Sequence, residues 1–412
     1  METINRKFEA PEGSFFLFGP RGTGKTTLLK KKFPDALWID LLLPDVFREY
    51  SARPERLIEF VRAHPEKKTV VIDEVQKIPE MLSVVHFLIE EKLDVRFVLT
   101  GSSSRKIKRS GVDMLAGRAD NRTLHPFMAA ELEDRFDFNK ALEQGLVPLV
   151  VSARNPESVL RGYVSLYIRE EVQLEGLVRN IGSFSRFLEA ISFSHGSVLN
   201  ISNVARDCHV ERKTVEGYIG ILEDLLLCFK LDVFQKRAKR NIVSHPKFYF
   251  FDPGVYRSLR PSGPLDKPEE IEGSSLEGLV AQHLIAWNSY REEDNRLYYW
   301  RTHSGLEVDF IVYGKGIFWA VEVKNTSRVR LEDLRPLKKF KEYYPECKAF
   351  LLYRGGERLK KGDILCLPCG EFLRELNPSR NSRSPLPHVR IHMKGSSRLF
   401  FFSLPFLSLW IM

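Results

Sequence analysis

The sequence predicts an α/β protein with three parts: a parallel-sheet core, a helical and winged-helix middle domain, and a second α/β domain. Three observations carry this. Apolar runs alternate with helical patterns over residues 1–140, as βαβ units require. Two helical runs, a strand, a basic tip and a second strand follow between 201 and 252. Three strand-like runs bearing two acids and a lysine lie between 296 and 325.

The core starts with Phe15–Phe18, an apolar strand that breaks at Gly19-Pro20 and leads into a helical pattern from Lys25. Between them Gly19, Pro20, Arg21, Gly22, Thr23, Gly24, Lys25, Thr26 and Thr27 complete a G-x-x-x-x-G-K-[ST] phosphate-binding turn in its strand-to-helix setting. Glycines let backbone N–H groups curl around a phosphate without a Cβ clash, and the helix N-terminus adds partial positive charge. Lys25 reaches the β- and γ-phosphates, and the Thr26 hydroxyl ligates Mg²⁺. ATP and Mg²⁺ are therefore the expected cofactors.

"ALWIDLL" is a second buried strand and "PERLIEFVRAH" a helix. "TVVIDE" is a β-branched run ending in Asp73-Glu74. Asp73 at the strand's C-terminal end can hold Mg²⁺, and Glu74 can polarise the attacking water. The helix "MLSVVHFLIEEK" precedes "VRFVLTGSSS", a strand ending in the hydroxyls of Thr100 and Ser102.

"FFLFGPRGTGKTT", "VVIDEVQKIPEML", "FVLTGSSSRKIKR" and "MLAGRA" together resemble a large prokaryotic family of AAA+ ATPases. That family pairs this core with a restriction-endonuclease-like C-terminal domain, and its biological role is poorly defined. The resemblance runs to about residue 376. It implies that Thr100 or Ser102 senses the γ-phosphate, against the plainer reading of a strand closing in a Ser/Gly turn. It implies that Arg118 can act as an arginine finger on its own or a neighbour's nucleotide, against a solvated arginine. Assembly into a homo-oligomer is the analogous expectation.

In the middle domain, expected over 141–250, "PESVLRGYVSLYIREEVQLEGLVRN" is a long helical stretch whose broad apolar face, including Leu160 and Tyr163, is mainly for packing. Ile201–Asp207 and Glu211–Leu227 form a helix-turn-helix, with "CFKLDVF" and "KFYFFD" as the wing strands. Arg212, Lys213 and Thr214 would start a recognition helix, and Lys236, Arg237, Lys239 and Arg240 would tip the wing. Both can meet DNA phosphates. The alternative is a module that only packs on the ATPase or a protein partner.

The third domain, expected over 251–377, begins with a proline- and charge-rich linker, Pro261–Glu270, and a helix from Ser275 carrying Glu277. Asp309 lies on the second of three strands and Glu322-x-Lys324 on the third. A two-residue turn at Lys315-Gly316 sets Gly314 opposite Ile317 and Asp309 opposite Glu322. Two carboxylates and a lysine can then converge near Glu277, as metal-dependent phosphodiester cleavage requires. The pattern resembles the PD-(D/E)XK nucleases, which implies metal ligation by Glu277, Asp309 and Glu322 and catalysis by Asp309, Glu322 and Lys324. The plainer reading is a surface hairpin with cross-strand ion pairs.

The chain is long enough for two to four domains. Its five scattered cysteines suit a reducing cytoplasm rather than a disulfide framework, and the N-terminus carries no apolar secretory run. Of the net charge of +9, five units come from Arg380, Arg383, Arg390, Lys394 and Arg398, in a tail from 378 to 412 without acids. The basic excess is therefore weak evidence for a nucleic-acid partner. The tail ends in "LFFFSLPFLSLWIM", 14 residues interrupted by Pro405. That is short of the ~20 needed to span a bilayer, so no stable membrane insertion is expected. An extension out of the selected reading frame explains the change of composition better than an anchor.

Overall fold

The computed structural model describes residues 4–102, 115, 117–167, 180–235, 245–291 and 293–379. The basic loop after Ser102, the wing-tip residues Lys236, Arg237, Lys239 and Arg240, and the tail from 380 lie outside the described residues.

The N-terminal sheet has five parallel strands: β1 (Phe15–Phe18), β2 (Leu37–Asp40), β3 (Thr69–Asp73), β4 (Arg96–Gly101) and β5 (Asp120–Thr123). Their spatial order is β2-β3-β4-β1-β5. β4 thus lies between the strand that feeds the phosphate turn and the strand that ends in Asp73. Both faces are covered. Phe16, Val70, Ile72, Phe97 and Leu99 pack on one side, and Phe15, Leu17, Val71 and Val98 pack with Phe8 and Leu29 on the other. Burial of both faces explains why these strands are near-continuous apolar runs rather than alternating ones.

The chain leaves this sheet at Thr123. Residues Phe127–Leu146 pack in the same core as the C-terminal strands, although the sequence assigns them with the ATPase up to 140. The helices Ile181–Ser192, Ile201–Cys208 and Arg212–Asp224 share a separate apolar core with Val147, Leu160 and Phe250. His209, in the left-handed region, makes the turn between the last two.

A second, mixed sheet has nine strands. β6 (Ser197–Val198), β7 (Cys228–Val233) and β8 (Lys247–Phe250) come from the middle region. β9 (Arg296–Arg301), β10 (Glu307–Gly314), β11 (Ile317–Lys324), β12 (Lys348–Tyr353), β13 (Leu359–Lys361) and β14 (Ile364–Pro368) complete it. The order is β13-β14-β12-β11-β10-β9-β7-β8-β6, with β7 and β9 parallel. The expected boundary at 250 therefore falls inside one hydrogen-bonded sheet. The helix Pro268–Ser289 covers one face, its Trp287 stacked on Trp319 of β11 at 5.2 Å. The helix Arg335–Tyr343 covers the other through Phe340.

That first helix starts seven residues earlier than the expected Ser275. The physical reason is at its N-terminus. Proline fits the first turn, where its missing N–H costs nothing, and Glu269 and Glu270 favour the positive end of the helix dipole. Glu277 accordingly sits mid-helix, facing the sheet.

Candidate functional site

The phosphate turn is built as its sequence demands. Gly22 and Gly24 adopt φ of 80° and 84°, and Gly24 directly precedes the helix Lys25–Lys32, which has no acid in its first turn. A Cβ on Gly19 would meet the Leu124 carbonyl oxygen at 2.5 Å, so only glycine fits between β1 and β5. Lys25 Nζ donates to the carbonyls of Gly19 at 2.7 Å and Pro20 at 3.4 Å. The buried Thr23 hydroxyl closes the turn on Pro20 O at 2.8 Å.

The expected partners converge at the C-terminal edge of the sheet. Thr26 Oγ1 donates to Asp73 Oδ2 at 2.7 Å, and Thr100 Oγ1 donates to Asp73 Oδ1. The same Thr100 hydroxyl accepts from the Glu74 backbone N–H at 3.0 Å. Glu74 lies in the left-handed region (φ 60°), a conformation that carries strain for a non-glycine residue. Gln76 Nε2 donates to the Glu74 carboxylate and to Ser102 Oγ at 3.2 Å. Thr26 and Asp73 form a hydroxyl–carboxylate pair suited to a hard divalent cation, so this donor set fits Mg²⁺.

The outer carbonyls of the turn are braced by residues without a motif of their own. Arg21 O accepts from the Tyr163 hydroxyl at 3.1 Å, Gly22 O from Leu149 N at 3.1 Å, and Thr23 O from Arg6 at 3.0 Å. In the sequence Tyr163 reads as part of an apolar face that is mainly for packing. Arg6 also forms a buried ion pair with Glu131 at 3.1 Å and donates to Tyr290 OH at 3.1 Å. A cavity of about 890 Å³ opens beside the turn, lined by Asn5, Arg6, Gly24, Thr27, Phe127 and Leu149 among others.

Arg118 is not brought to this edge. It precedes β5, at the N-terminal end of the parallel strands, and pairs with Glu90. Its own nucleotide site is at the opposite end of the sheet.

In the second sheet Gly314 pairs with Ile317 and Phe310 with Val321, the register that sets Asp309 opposite Glu322. Glu277 joins them from its helix, but so does a lysine with no motif. Lys247 of β8 is 1% exposed. Its Nζ lies 2.9 Å from Glu277 Oε1, 2.6 Å from Glu307 Oε1 and 3.2 Å from Asp309 Oδ1. Asp309 Oδ2 accepts from Val323 N at 2.9 Å, and Tyr249 OH donates to Glu277 Oε1 at 2.5 Å. Glu322 pairs with Lys324 at 2.6 Å.

Burial, then the Asp309 charge, raises Glu277 to about 7 and pushes Glu322 well above the carboxylate range. Burial pulls the Lys247 ammonium down, but Glu277, Tyr249, Asp309 and Glu307 outweigh it and leave it well above its ordinary value. The expected metal ligands Glu277 and Asp309 do not fit a divalent ion in this arrangement, because the Lys247 ammonium lies between them, and the third, Glu322, is paired with Lys324. Among the described residues no group of three His, Cys, Asp or Glu side chains is disposed to hold a metal.

Residues 12–133 match a family model described as "AAA domain". Over this segment, the five-stranded sheet with its phosphate turn, the chain is similar to AAA-type ATPase domains. Beyond the AAA domain, residues 135–266 and 272–372 match two domains of unknown function, DUF8612 and DUF4143. Uncharacterized proteins of Mycobacterium bovis and Mycobacterium tuberculosis are each 25% identical over 369 residues, covering 87% of this chain and 80% of theirs. An uncharacterized protein of Haemophilus influenzae is 22% identical over 265 residues, 60% of this chain and 63% of its own.

Among solved structures, AMPPCP-bound DnaA from Aquifex aeolicus is similar at 15% identity, covering 51% of this chain and 81% of its own, with a TM-score of 0.24. A STAND protein with a tetratricopeptide repeat sensor from Pyrococcus horikoshii matches at 14% identity over 67% of this chain and 45% of its own, also at 0.24. At that overlap neither likeness bears on this chain's fold or partners.

Proposed function

We propose that the protein is a cytoplasmic, Mg²⁺-dependent ATPase whose nucleotide state is passed to the middle helices and the nine-stranded sheet. The observation that carries this reading is the set of contacts joining Thr26, Asp73, Thr100 and Glu74. It supports reading Thr26 and Asp73 as a magnesium ligand pair, Thr100 as a γ-phosphate sensor and Glu74 as a general base. Magnesium held by Thr26 and Asp73 supplies neutralisation of the phosphate oxygens. Lys25 exchanges its carbonyl partners for phosphate, the Gly22–Thr27 backbone cradles it, and Glu74, oriented by Gln76, aligns the attacking water. The cavity beside Thr27 and Phe127 takes the base. The five cysteines, all buried and unpaired, support a reducing compartment. Among the described residues no helix is long and apolar enough to cross a membrane.

Replacing Lys25 with alanine is expected to abolish ATP turnover. Glu74→Gln is expected to keep ATP binding and lose turnover by 10²-fold or more, on the order of a lost general base. Turnover that survives Lys25→Ala overturns the proposal.

The C-terminal region keeps its likeness to a PD-(D/E)XK site through the Asp309–Glu322 register and Lys324. A DNA partner would meet Arg212 and Lys213, exposed at the start of their helix. A second reading, an ATP-driven switch whose nuclease-like region does not cut, is favoured by one observation: the lysine seated among the carboxylates.

A further inference from the structure

An ammonium group has three protons, and Lys247 Nζ has three carboxylate oxygens within 3.2 Å, one each from Glu277, Glu307 and Asp309. Further contacts hold the same acids. Asp309 Oδ2 accepts from Val323 N–H, Glu277 Oε1 accepts from Tyr249 as well, and Glu307 Oε2 faces Arg301 at 3.6 Å. A magnesium ion needs bare oxygens at about 2.0–2.1 Å in octahedral array. Here those oxygens converge on nitrogen at distances ordinary for an ion pair. A buried lysine is tolerated only when paired, so the three acids and Lys247 require one another.

Lys247 belongs to β8, which is hydrogen-bonded to β7 on one side and β6 on the other. The strand pair β7–β8 therefore brings Lys247 to the cluster as part of the sheet.

We infer that Lys247 is the resident cation of the Glu277–Glu307–Asp309 cluster, so that the site is closed to divalent metal while β8 stays in the sheet. The inference deepens the second reading above: the nuclease-like region is a structural ion cluster, not a cutting site, in the folded chain.

The test counts Mn²⁺ bound to the full chain without nucleotide, by electron paramagnetic resonance of free Mn²⁺. Each background is compared with and without Asp309→Asn, which cancels metal held near Asp73. Wild type and Asp309→Asn are expected to bind equally. Lys247→Met is expected to gain about one Mn²⁺, which Lys247→Met with Asp309→Asn loses again, and added Mn²⁺ should raise the melting temperature of Lys247→Met but not of wild type.

A wild-type Mn²⁺ that disappears on Asp309→Asn overturns the inference. So does a folded Lys247→Met that gains none. Should Lys247→Met fail to fold, the wild-type pair still decides. ATP turnover of the same samples reports on the ATPase reading separately, since Lys247 is remote from Lys25 and Glu74.

Discussion

His283 shows how completely one side chain can be specified. Its Nε2 accepts from Ala129 N at 2.9 Å and its Nδ1 meets Leu279 O at 2.8 Å. Only the Nδ1–H tautomer satisfies both, so protonating Nε2 breaks the bond to Ala129. Burial lowers the ring to about 4, and lowers His125 and His195 to about 3. The sign follows. These rings are neutral when folded but charge near 6.5 when unfolded, so stability is full above about 6.5 and falls as pH drops toward 4. At roughly 1.4 kcal/mol per unit, His283 alone accounts for about 3 kcal/mol over that window. Urea unfolding from pH 7 to 4 should show the loss, and His283→Gln should reduce its slope by about one proton. An unchanged slope would count against the assignment.

At the scale of elements, the helix Pro253–Leu259 meets the end of the helix Phe138–Gln144 with almost no space between backbones. Asp252 caps the former and accepts from Leu146 N at 2.7 Å. A Cβ on Gly254 would fall 2.1 Å from Gln144 O, a backbone atom that cannot step aside. Gly254→Ala is therefore expected to cost about 1–3 kcal/mol in chemical denaturation, as overpacking does.

Elements also show what a sequence can carry. The phosphate turn and Asp73-Glu74 were legible because their chemistry is local to one strand end each. The Asp309–Glu322 register was legible because an even turn fixes it. Lys247 was not, since its partners lie 30 and 62 residues away and "KFYFFD" suggests only a wing strand. The available signal was a lysine heading an otherwise apolar, fully buried run, which demands a counter-charge. The choice for Arg118 between its own nucleotide and a neighbour's stayed open because β5, four polar residues, was not recognised. A residue just before a parallel strand lies at the edge opposite the ligand.

For the whole molecule, the position of Arg118 has a definite implication. It cannot reach the nucleotide of its own chain, so any catalytic contact must be made in an assembly. Mixing Arg118→Ala with Lys25→Ala chains is expected to recover turnover above either variant alone, because mixed neighbours combine an intact turn with an intact arginine. Specific activity of wild type should rise with protein concentration. Turnover that stays additive in the mixture and flat with concentration would dismiss the role.

The nine-stranded sheet bears on how such a chain could be recombined. The five parallel strands end at Thr123, while Phe127–Leu146 pack with the C-terminal strands and the middle helices keep a core of their own, so an exchange near 124 would leave both of those cores whole. An exchange near 250 would not. It would strip β7 from β9, leaving an open strand edge, and leave three clustered acids without their ammonium. A crossover at 250 would thus cut through one hydrogen-bonded sheet rather than between two.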